Sequence, residues 1–587
     1  MLSGGRAPAL GHDTLGEALG AVSGPAGVVL VDAQENERRI PWSELHSRAR
    51  HVAGALIGLG VKPGDRVVIV LPTGLDFLDA FFGATLAGAV PVPLYPPIRL
   101  GRIEEYHAAT ARMITAVRAR IVLTDERVGR LLGVAMRTAH PPLGLHHVAS
   151  LVEGGHPAPI VARRGEDLAL IQFSSGSTVD PKPVMLTHHN VLSQCAMVSA
   201  TLPRAGDASV TGVSWLPLYH DMGLIGGLLT ALYHRGTMVL LSPEDFLVQP
   251  AAWLRAISRH KAIISPAPNF AFAVATKRIK PQQIEGLDLS SWKFALCGAE
   301  PVSSAVMAAF AKRFAPFGFD DRALMPVYGL AEASLAVTFT RPDQPVRALP
   351  IDPEVLAREG TLSAGARDIV SVGRPVPGVE VMLRDPDARE VETGVVGRIF
   401  VRGPAVMAGY FDRPDATKAV LQTDGWLDTG DLGFELDGEL YVTGRAKDVI
   451  VIRGGNHAPQ EFEECLDDLP GVRPGCVIAV GHIPDGAEGE ELLVLVERKS
   501  EGPAIDLEAL SRAAREAIVT RTGVRPHHVA ILEPGTLPRT SSGKLRRQEA
   551  LRRYVAGALE APRPVNGLFI AKELLRSTVA KIRLDLG

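Results

Sequence analysis

The chain has few cysteines for its size: four in 587 residues, at Cys195, Cys297, Cys465 and Cys476, none spaced as metal ligands. A disulfide-stapled secreted scaffold of this length would use more, so reduced thiols and a cytoplasmic protein are expected. A surplus of either charge is also lacking, since 62 Lys and Arg stand against 65 Asp and Glu, for a net charge of -3. Phosphate-backbone binding needs clustered surplus cations, so nucleic acid is not an expected partner. No basic, apolar and small-residue series opens the sequence, and the apolar run Met222 to Tyr233 falls well short of the ~20 residues that span a bilayer. No transmembrane segment is expected. A Walker A loop is missing too. Pro181 stands where that motif needs its second glycine after Gly176, and no Gly-Lys-Ser/Thr follows, which excludes a P-loop nucleotide triphosphatase.

What the sequence does have is 46% hydrophobic residues and 59 glycines, enough for several cores in roughly two to four domains. From Asp65, "DRVVIVLP", "GLDFLDAFFGATLAGA" and "VPVPL" read as strand, helix and strand. The rhythm recurs at "LALIQF" with "NVLSQCAMVSATL", at "GTMVLLSP" with "PAAWLRAISRH", and at "WKFALCGAEPV" with "SSAVMAAFAKRF". This alternation predicts an α/β fold of doubly wound layers with mostly parallel sheets. After about Ile369 the helical pattern stops. Short alternating segments such as "GVEVMLRD", "VGRIFVRG" and "GELYVTG" predict a small antiparallel β unit over about 369–444. From Ala446 a compact α+β pattern resumes. The expected division is therefore 1–445 and 446–587, with the boundary in "GRAKD".

Ligands of doubly wound folds collect where loops leave the carboxyl ends of strands. "FSSGST" follows "LALIQF" directly, and its hydroxyls and backbone N–H groups suit an anion, with Gly176 allowing close approach. Lys182 adds a positive charge. The residue types alone also suit an ordinary Ser-rich turn, because Ser and Thr favour loops for local hydrogen-bonding reasons.

The order of the other motifs decides between these. Downstream come "SWLPLYHDMGLIGG", "CGAEPV", "YGLAEA", "DGWLDTGDLG", "GRAKDVIVIRGGNHAPQEFE" and "PRTSSGKLRR". Over roughly Trp42 to Tyr554 this series resembles the adenylate-forming enzymes, which include acyl-CoA synthetases, luciferases and peptide-synthetase adenylation domains. Within them, "LPLYHDMGLIGG", "SPAPNFAF" and "GNHAPQEFE" look most like the fatty acyl-AMP ligases. The resemblance implies activation of a fatty acid with ATP, and passage of the acyl group to an acyl carrier protein or a polyketide or peptide synthase. Val179 and Pro183 depart from the usual loop, and proline has no N–H to donate.

The resemblance also implies residue roles. Ser174, Ser175, Gly176, Ser177 and Thr178 would contact the phosphates, with Lys182 nearby. Glu332, with Thr178, would help hold Mg²⁺, a cation that takes few carboxylates and completes its shell with phosphate oxygens. Tyr328 would stack on adenine, Gly298, Ala299 and Glu300 would line the base, and Gly329, Leu330 and Ala331 would belong to the ATP and AMP site. Asp431 would accept from both ribose hydroxyls, a task for an acceptor-only carboxylate. Arg445 would lie near ribose or phosphate. Lys544 would reach in from the C-terminal domain to stabilise developing charge, and Lys447 would sit at the hinge. His220 and Asp221 would shape the acyl entrance, with His220 in the catalytic set by position. Trp215, Met222 and Ile225 would line the acyl tunnel, or be ordinary core.

The long stretch between Glu332 and Gly373, including "ALPIDPEVLAREGTL", resembles the insertion that restrains thioester formation with coenzyme A in fatty acyl-AMP ligases. Its plain reading is a surface excursion, since loops tolerate length changes at little cost. Two alternatives stay open: a fatty acyl-CoA synthetase, and a non-catalytic acyl or nucleotide sensor on the same scaffold. The tail "FIAKELLRSTVAKIRLDL" reads as an amphipathic helix that could dock a carrier protein or a membrane, packing on its own domain being the plainer expectation.

Overall fold

In a computed structural model, the structure describes residues 1–97, 100–174, 181–202, 210–484, 489–500, 506–540 and 543–563, and Glu573, Arg576 and Ser577 of the tail. A four-stranded parallel sheet is ordered Val90–Leu94, Arg66–Val70, Ile121–Thr124, Leu145–His147. The helix Leu75–Leu86 follows the strand Arg66–Val70 and is buried along most of its length. That explains its unbroken apolar run: it lies between layers instead of on the surface. Its one buried carboxylate, Asp79, is met by Arg48 of the helix Trp42–Gly58 at 2.6 Å.

The larger sheet has nine strands among the described residues. Its order is Arg374–Pro375, Ala336–Phe339, Leu324–Gly329, Phe294–Cys297, Ile264–Ala267, Thr211–Ser214, Thr237–Leu240, Gly27–Val31, Glu37–Pro41. The central pairs are parallel and the edges antiparallel. Alternate residues of one strand enter different cores: Met238 and Leu240 face one cluster, Val239 the other.

The α/β alternation is as expected, with one exception. "LALIQF" is not followed directly by a helix. The strand Leu168–Phe173 turns back into an antiparallel strand, Pro183–Thr187, and only then comes the helix His188–Thr201, capped by Thr187. Gly409–Tyr410 adds a third strand on the other side of Pro183–Thr187. Pro183 begins its strand, where a missing N–H removes no interior ladder bond, and its carbonyl accepts from Phe411 at 2.8 Å.

The antiparallel unit is a five-stranded sheet of Leu2–Ser3, Glu380–Arg384, Gly397–Arg402, Leu427–Leu436 and Glu439–Arg445. Its first strand comes from the chain's start. After Arg445 a single turn, Ala446–Asp448, leads into a smaller α+β unit built on Val472–His482, Glu491–Arg498 and His528–Leu532. Large and small units meet at the start of the helix Ile103–Ala116. Arg102 donates to the carbonyls of Gly535, Thr536 and Glu560 at 3.3, 3.1 and 2.9 Å, and Glu105 pairs with Arg553 at 2.8 Å.

The tail does not pack on its own domain where it is described. Arg576 pairs with Glu104 at 3.0 Å, and the Ser577 hydroxyl accepts from the Gly133 N–H at 2.9 Å. Gly133 leaves the room for this, since a β-carbon there would lie 2.2 Å from the Ser577 carbonyl oxygen.

Candidate active site

The hairpin between Phe173 and Pro183 places the phosphate-type loop. Ser174 N–H donates to the Lys182 carbonyl at 2.9 Å, and Lys182 N–H donates back to the Ser174 hydroxyl at 3.3 Å, closing the base of the loop. Ser175, Gly176, Ser177, Thr178 and Val179 lie outside the described residues. The Lys182 ammonium sits 4.7 Å from the centre of the Tyr410 ring, and the Tyr410 hydroxyl donates to Glu332 at 2.9 Å. Sequence reasoning missed Tyr410. Nothing in "MAGYFDRP" marks a tyrosine that joins Glu332 to Lys182, and only the pairing of Gly409–Tyr410 with Pro183–Thr187 brings it there.

Tyr328, Gly329, Leu330, Ala331 and Glu332 continue from the end of a sheet strand into the same space. The chain turns sharply here: a β-carbon at Gly329 would lie 1.7 Å from the Leu335 carbonyl oxygen, and Ser334 takes a positive φ of 63°. Tyr328 donates to Asp431 at 2.8 Å, and Arg445 approaches the other Asp431 oxygen at 3.1 Å. Asp431 and Arg445 are cross-strand partners, which fixes their approach. Burial holds the Asp431 carboxyl above its ordinary value, opposed by Arg445 and by the Tyr328 hydroxyl. Ala299 lines the cavity with a positive φ of 69°, a conformation alanine rarely adopts. Gly298 and Glu300 flank it, and the Glu300 carboxylate accepts from Phe270 N–H at 2.6 Å.

Lys544 lines the same cavity as Lys182, Arg398, Arg445 and Lys447, so five Lys and Arg side chains border it, Arg398 being paired with Asp428 at 2.6 Å. Burial lowers the Lys544 pKa from its ordinary value, partly offset by Asp221. Lys447 is also lowered, by burial and then by Arg445. His220 Nδ1 lies 2.5 Å from Asp221, and Asp221 also accepts from Met222 N–H at 2.7 Å. His220 keeps the Asp221 carboxyl below its ordinary value in spite of its burial.

The cavity encloses about 470 Å³ and becomes apolar away from the cations, where Met222, Gly226, Met238, Ile264, Leu296 and Leu335 line it. One wall is a π-helix, Met222–Leu229, begun by Asp221. Such segments are rare and tend to occur at functional sites. Gly223 is required there because a β-carbon would lie 2.3 Å from the Pro217 carbonyl oxygen. Two expected tunnel residues are elsewhere. Trp215 is stacked on Phe246 at 3.9 Å in the core on the far face of the large sheet, and Ile225 points into the near core. Both are ordinary core: Trp215, one residue past the strand Thr211–Ser214, and Ile225, within the π-helix, are buried in the clusters on either side of the sheet.

Among the described residues no three acidic, histidine or cysteine side chains gather as a metal cage. The single carboxylate Glu332, with one oxygen held by Tyr410, is a donor set that fits a cation sharing phosphate oxygens. No helix among the described residues is long and apolar enough to cross a membrane.

The pattern of the AMP-binding enzyme family matches residues 21–411. The chain belongs to that family. As an AMP-binding enzyme it is 36% identical, over 93% of its length and 96% of the relative's, to a Caulobacter vibrioides protein provisionally named an acyl-CoA synthetase. It is 32% identical, over 90% of its length and 92% of the relative's, to the medium-chain-fatty-acid–[acyl-carrier-protein] ligase JamA of Moorena producens. Its fold matches a structure from a study of fatty acyl-adenylate ligases of E. coli and L. pneumophila with a TM-score of 0.85, at 33% identity, covering 94% of this chain and 99% of that one. The α/β class and the arrangement of a large N-terminal and a smaller C-terminal unit are therefore those of adenylate-forming enzymes.

Proposed function

We propose that the protein is a fatty acyl-AMP ligase that activates a fatty acid with ATP and passes the acyl group to an acyl carrier protein. The observation that carries this reading is one continuous cavity whose one end gathers Lys182, Arg445, Lys447 and Lys544 and which continues beyond them along an apolar stretch. Joining a carboxylate to the α-phosphate brings two anions together, and such a cationic end offsets their repulsion. The relatives named for fatty-acid adenylation and carrier ligation support the substrate and partner classes.

In the first half-reaction a carboxylate oxygen bonds to the α-phosphorus, the bond to the β-phosphate oxygen breaks, and pyrophosphate leaves. Lys544 meets the charge developing between the two reactants. Lys182 and the loop beyond Ser174 hold the phosphates, Asp431 and Arg445 hold the ribose, and Tyr328 with Ala299, Gly298 and Glu300 borders the base. Mg²⁺, when bound through Glu332 and Thr178, would neutralise phosphate charge. His220 and Asp221 shape the acyl entrance; no proton needs removing from the carboxylate, so His220 has no general-base task. In the second half-reaction a carrier's thiol attacks the acyl carbon, loses its proton, and AMP leaves.

We read residues 1–445 and 446–587 as the two domains, with about 369–444 as the β subdomain and Lys447 at the hinge. The segment Ala348–Val370 supports the ligase over the CoA synthetase. Its strands Ala348–Ile351 and Arg367–Val370 pack Ile351 and Ile369 on Phe434 and Tyr441, its helix Pro353–Glu359 lies against Gly455–His457, and Arg367 reaches Glu464 at 3.6 Å. It thus touches both units, not the N-terminal one alone, and ties them in one arrangement. The test is pyrophosphate release across a fatty-acid panel, followed by product analysis with holo-carrier or CoA. No release with any acid would refute the enzyme reading, and efficient acyl-CoA formation would favour the synthetase.

A further inference from the structure

Past its apolar stretch, the far end of the cavity carries polar side chains. The strand Thr211–Ser214 leads at its carboxyl end into the segment of His220 and Asp221, and pairs in parallel with Thr237–Leu240. Val210, Gly236 and Thr237 line the cavity at the opposite, amino ends of these strands. A strand rises ~3.3 Å per residue, so this end lies roughly 10 Å further in than the carboxyl ends. Here the lining also includes Thr230 and His234.

Burial pushes the His234 imidazole down to about 4, so at neutral pH the ring is uncharged, with one N–H and one acceptor nitrogen. Nε2 lies 3.5 Å from the Cys195 carbonyl oxygen, a long contact to an oxygen that already accepts the Ser199 hydroxyl at 2.9 Å. With Nε2–H directed there, Nδ1 is left as an acceptor. Thr230 donates its hydroxyl hydrogen to the Ile225 carbonyl at 2.7 Å, and its oxygen, which also meets the Cys195 thiol, keeps one lone pair to accept. Two acceptors therefore border the point where the substrate chain ends. A methyl terminus would displace water from them and return no hydrogen bond, whereas a hydroxyl would return one.

We infer that His234 and Thr230 form a recognition site for a hydroxyl at the far end of the acyl substrate, so that ω-hydroxy or hydroxyaryl acids are preferred to plain alkanoates of equal length. This rests on the proposed acyl-activating reading of the cavity.

The test uses the full chain and displacement of a fluorescent fatty acid by matched pairs of alkanoate and ω-hydroxyalkanoate over a series of lengths, with pyrophosphate release measured in parallel. At the length that reaches His234 the hydroxy acid should bind tighter by on the order of tenfold, the worth of one neutral hydrogen bond. His234→Leu should bring the ratio close to one, and His234→Gln, which keeps an acceptor, should retain a several-fold preference. Each ratio is taken within one variant, so a general loss of affinity does not mimic the result. Equal affinities at every length in the intact protein, or an unchanged ratio in His234→Leu, would overturn the inference. Preferred binding of the hydroxy acid without any pyrophosphate release would instead overturn the proposed activity and leave this site standing.

Discussion

Tyr328 and Asp431, 103 residues apart, share a hydrogen bond of 2.8 Å, and Arg445 meets the same carboxylate from the neighbouring strand. The buried carboxylate is thus held by two partners before any ribose arrives, which pre-orients its lone pairs. Asp431→Ala should weaken ATP binding by roughly 10- to 100-fold, the range for hydrogen bonds to a charged group. Tyr328→Phe should cost less, because Arg445 remains. Calorimetric titration with ATP checks the order. A Tyr328→Phe loss as large as that of Asp431→Ala would show that the tyrosine, not the carboxylate, dominates.

Lys544→Ala should reduce acyl-adenylate formation by on the order of 100- to 1000-fold with the thermal transition unchanged, the scale of removing one pre-organised charge-stabilising group. A loss of tenfold or less would remove Lys544 from the role.

The pH dependence follows from the same lysine. Burial lowers its pKa, and only the charged form stabilises the developing negative charge, so kcat/KM should fall as pH rises through that lowered value, below where an ordinary lysine titrates. In Lys544→Arg, whatever activity survives should lack this alkaline limb, because a guanidinium stays protonated. A limb that persists in the arginine variant belongs to another group.

Tyr410→Phe keeps the ring beneath Lys182 and removes the hydroxyl from Glu332. Adenylation should then need several-fold more Mg²⁺ for half-maximal rate, with ATP binding in the absence of metal little changed, as expected for about one lost hydrogen bond. Tyr410→Ala should weaken metal-free ATP binding as well. If both variants behave alike, the hydroxyl has no separate part.

Replacing the helix Pro353–Glu359 by a short Gly-Ser turn, together with Arg367→Ala, should leave pyrophosphate release largely intact and raise acyl-CoA formation from near zero. A bias of ~2.7 kcal/mol against one arrangement lowers its population about a hundredfold, so a modest tether suffices. Intact adenylation with no acyl-CoA would point to a missing CoA path.

Motif order made most of the cationic end legible. Ser174, Lys182, Tyr328, Glu332, Arg445 and Lys544 each fall in or just past one of the quoted motifs, and the fold brings all six to one cavity, Tyr328 and Arg445 from the ends of strands and the others from loops or a short turn. The hairpin after Phe173 was not legible. "PVMLT" is short and opens on proline, so it reads as a loop unless its two strand neighbours are known. Trp215 was misplaced for a related reason: it stands one residue past a four-residue strand, too short a pattern to say on which side of the sheet it packs. The strand Leu2–Ser3 is two residues long and pairs with Glu380 and Val381, a contact no local pattern encodes.

The contact around Arg102 has a thermodynamic consequence of its own. Glu104 and Glu105 face Arg576 and Arg553 at the protein's edge, with much of each carboxylate side chain in solvent. Exposed pairs of this kind are worth ~0–1 kcal/mol each and fade as the Debye length shrinks from about 10 Å at 0.1 M salt to 3 Å at 1 M. Added electrolyte therefore loosens the seam between the two units while leaving the buried Tyr328–Asp431–Arg445 set almost untouched. Ionic strength becomes a dial on how long the units stay together, separate from the affinity for nucleotide.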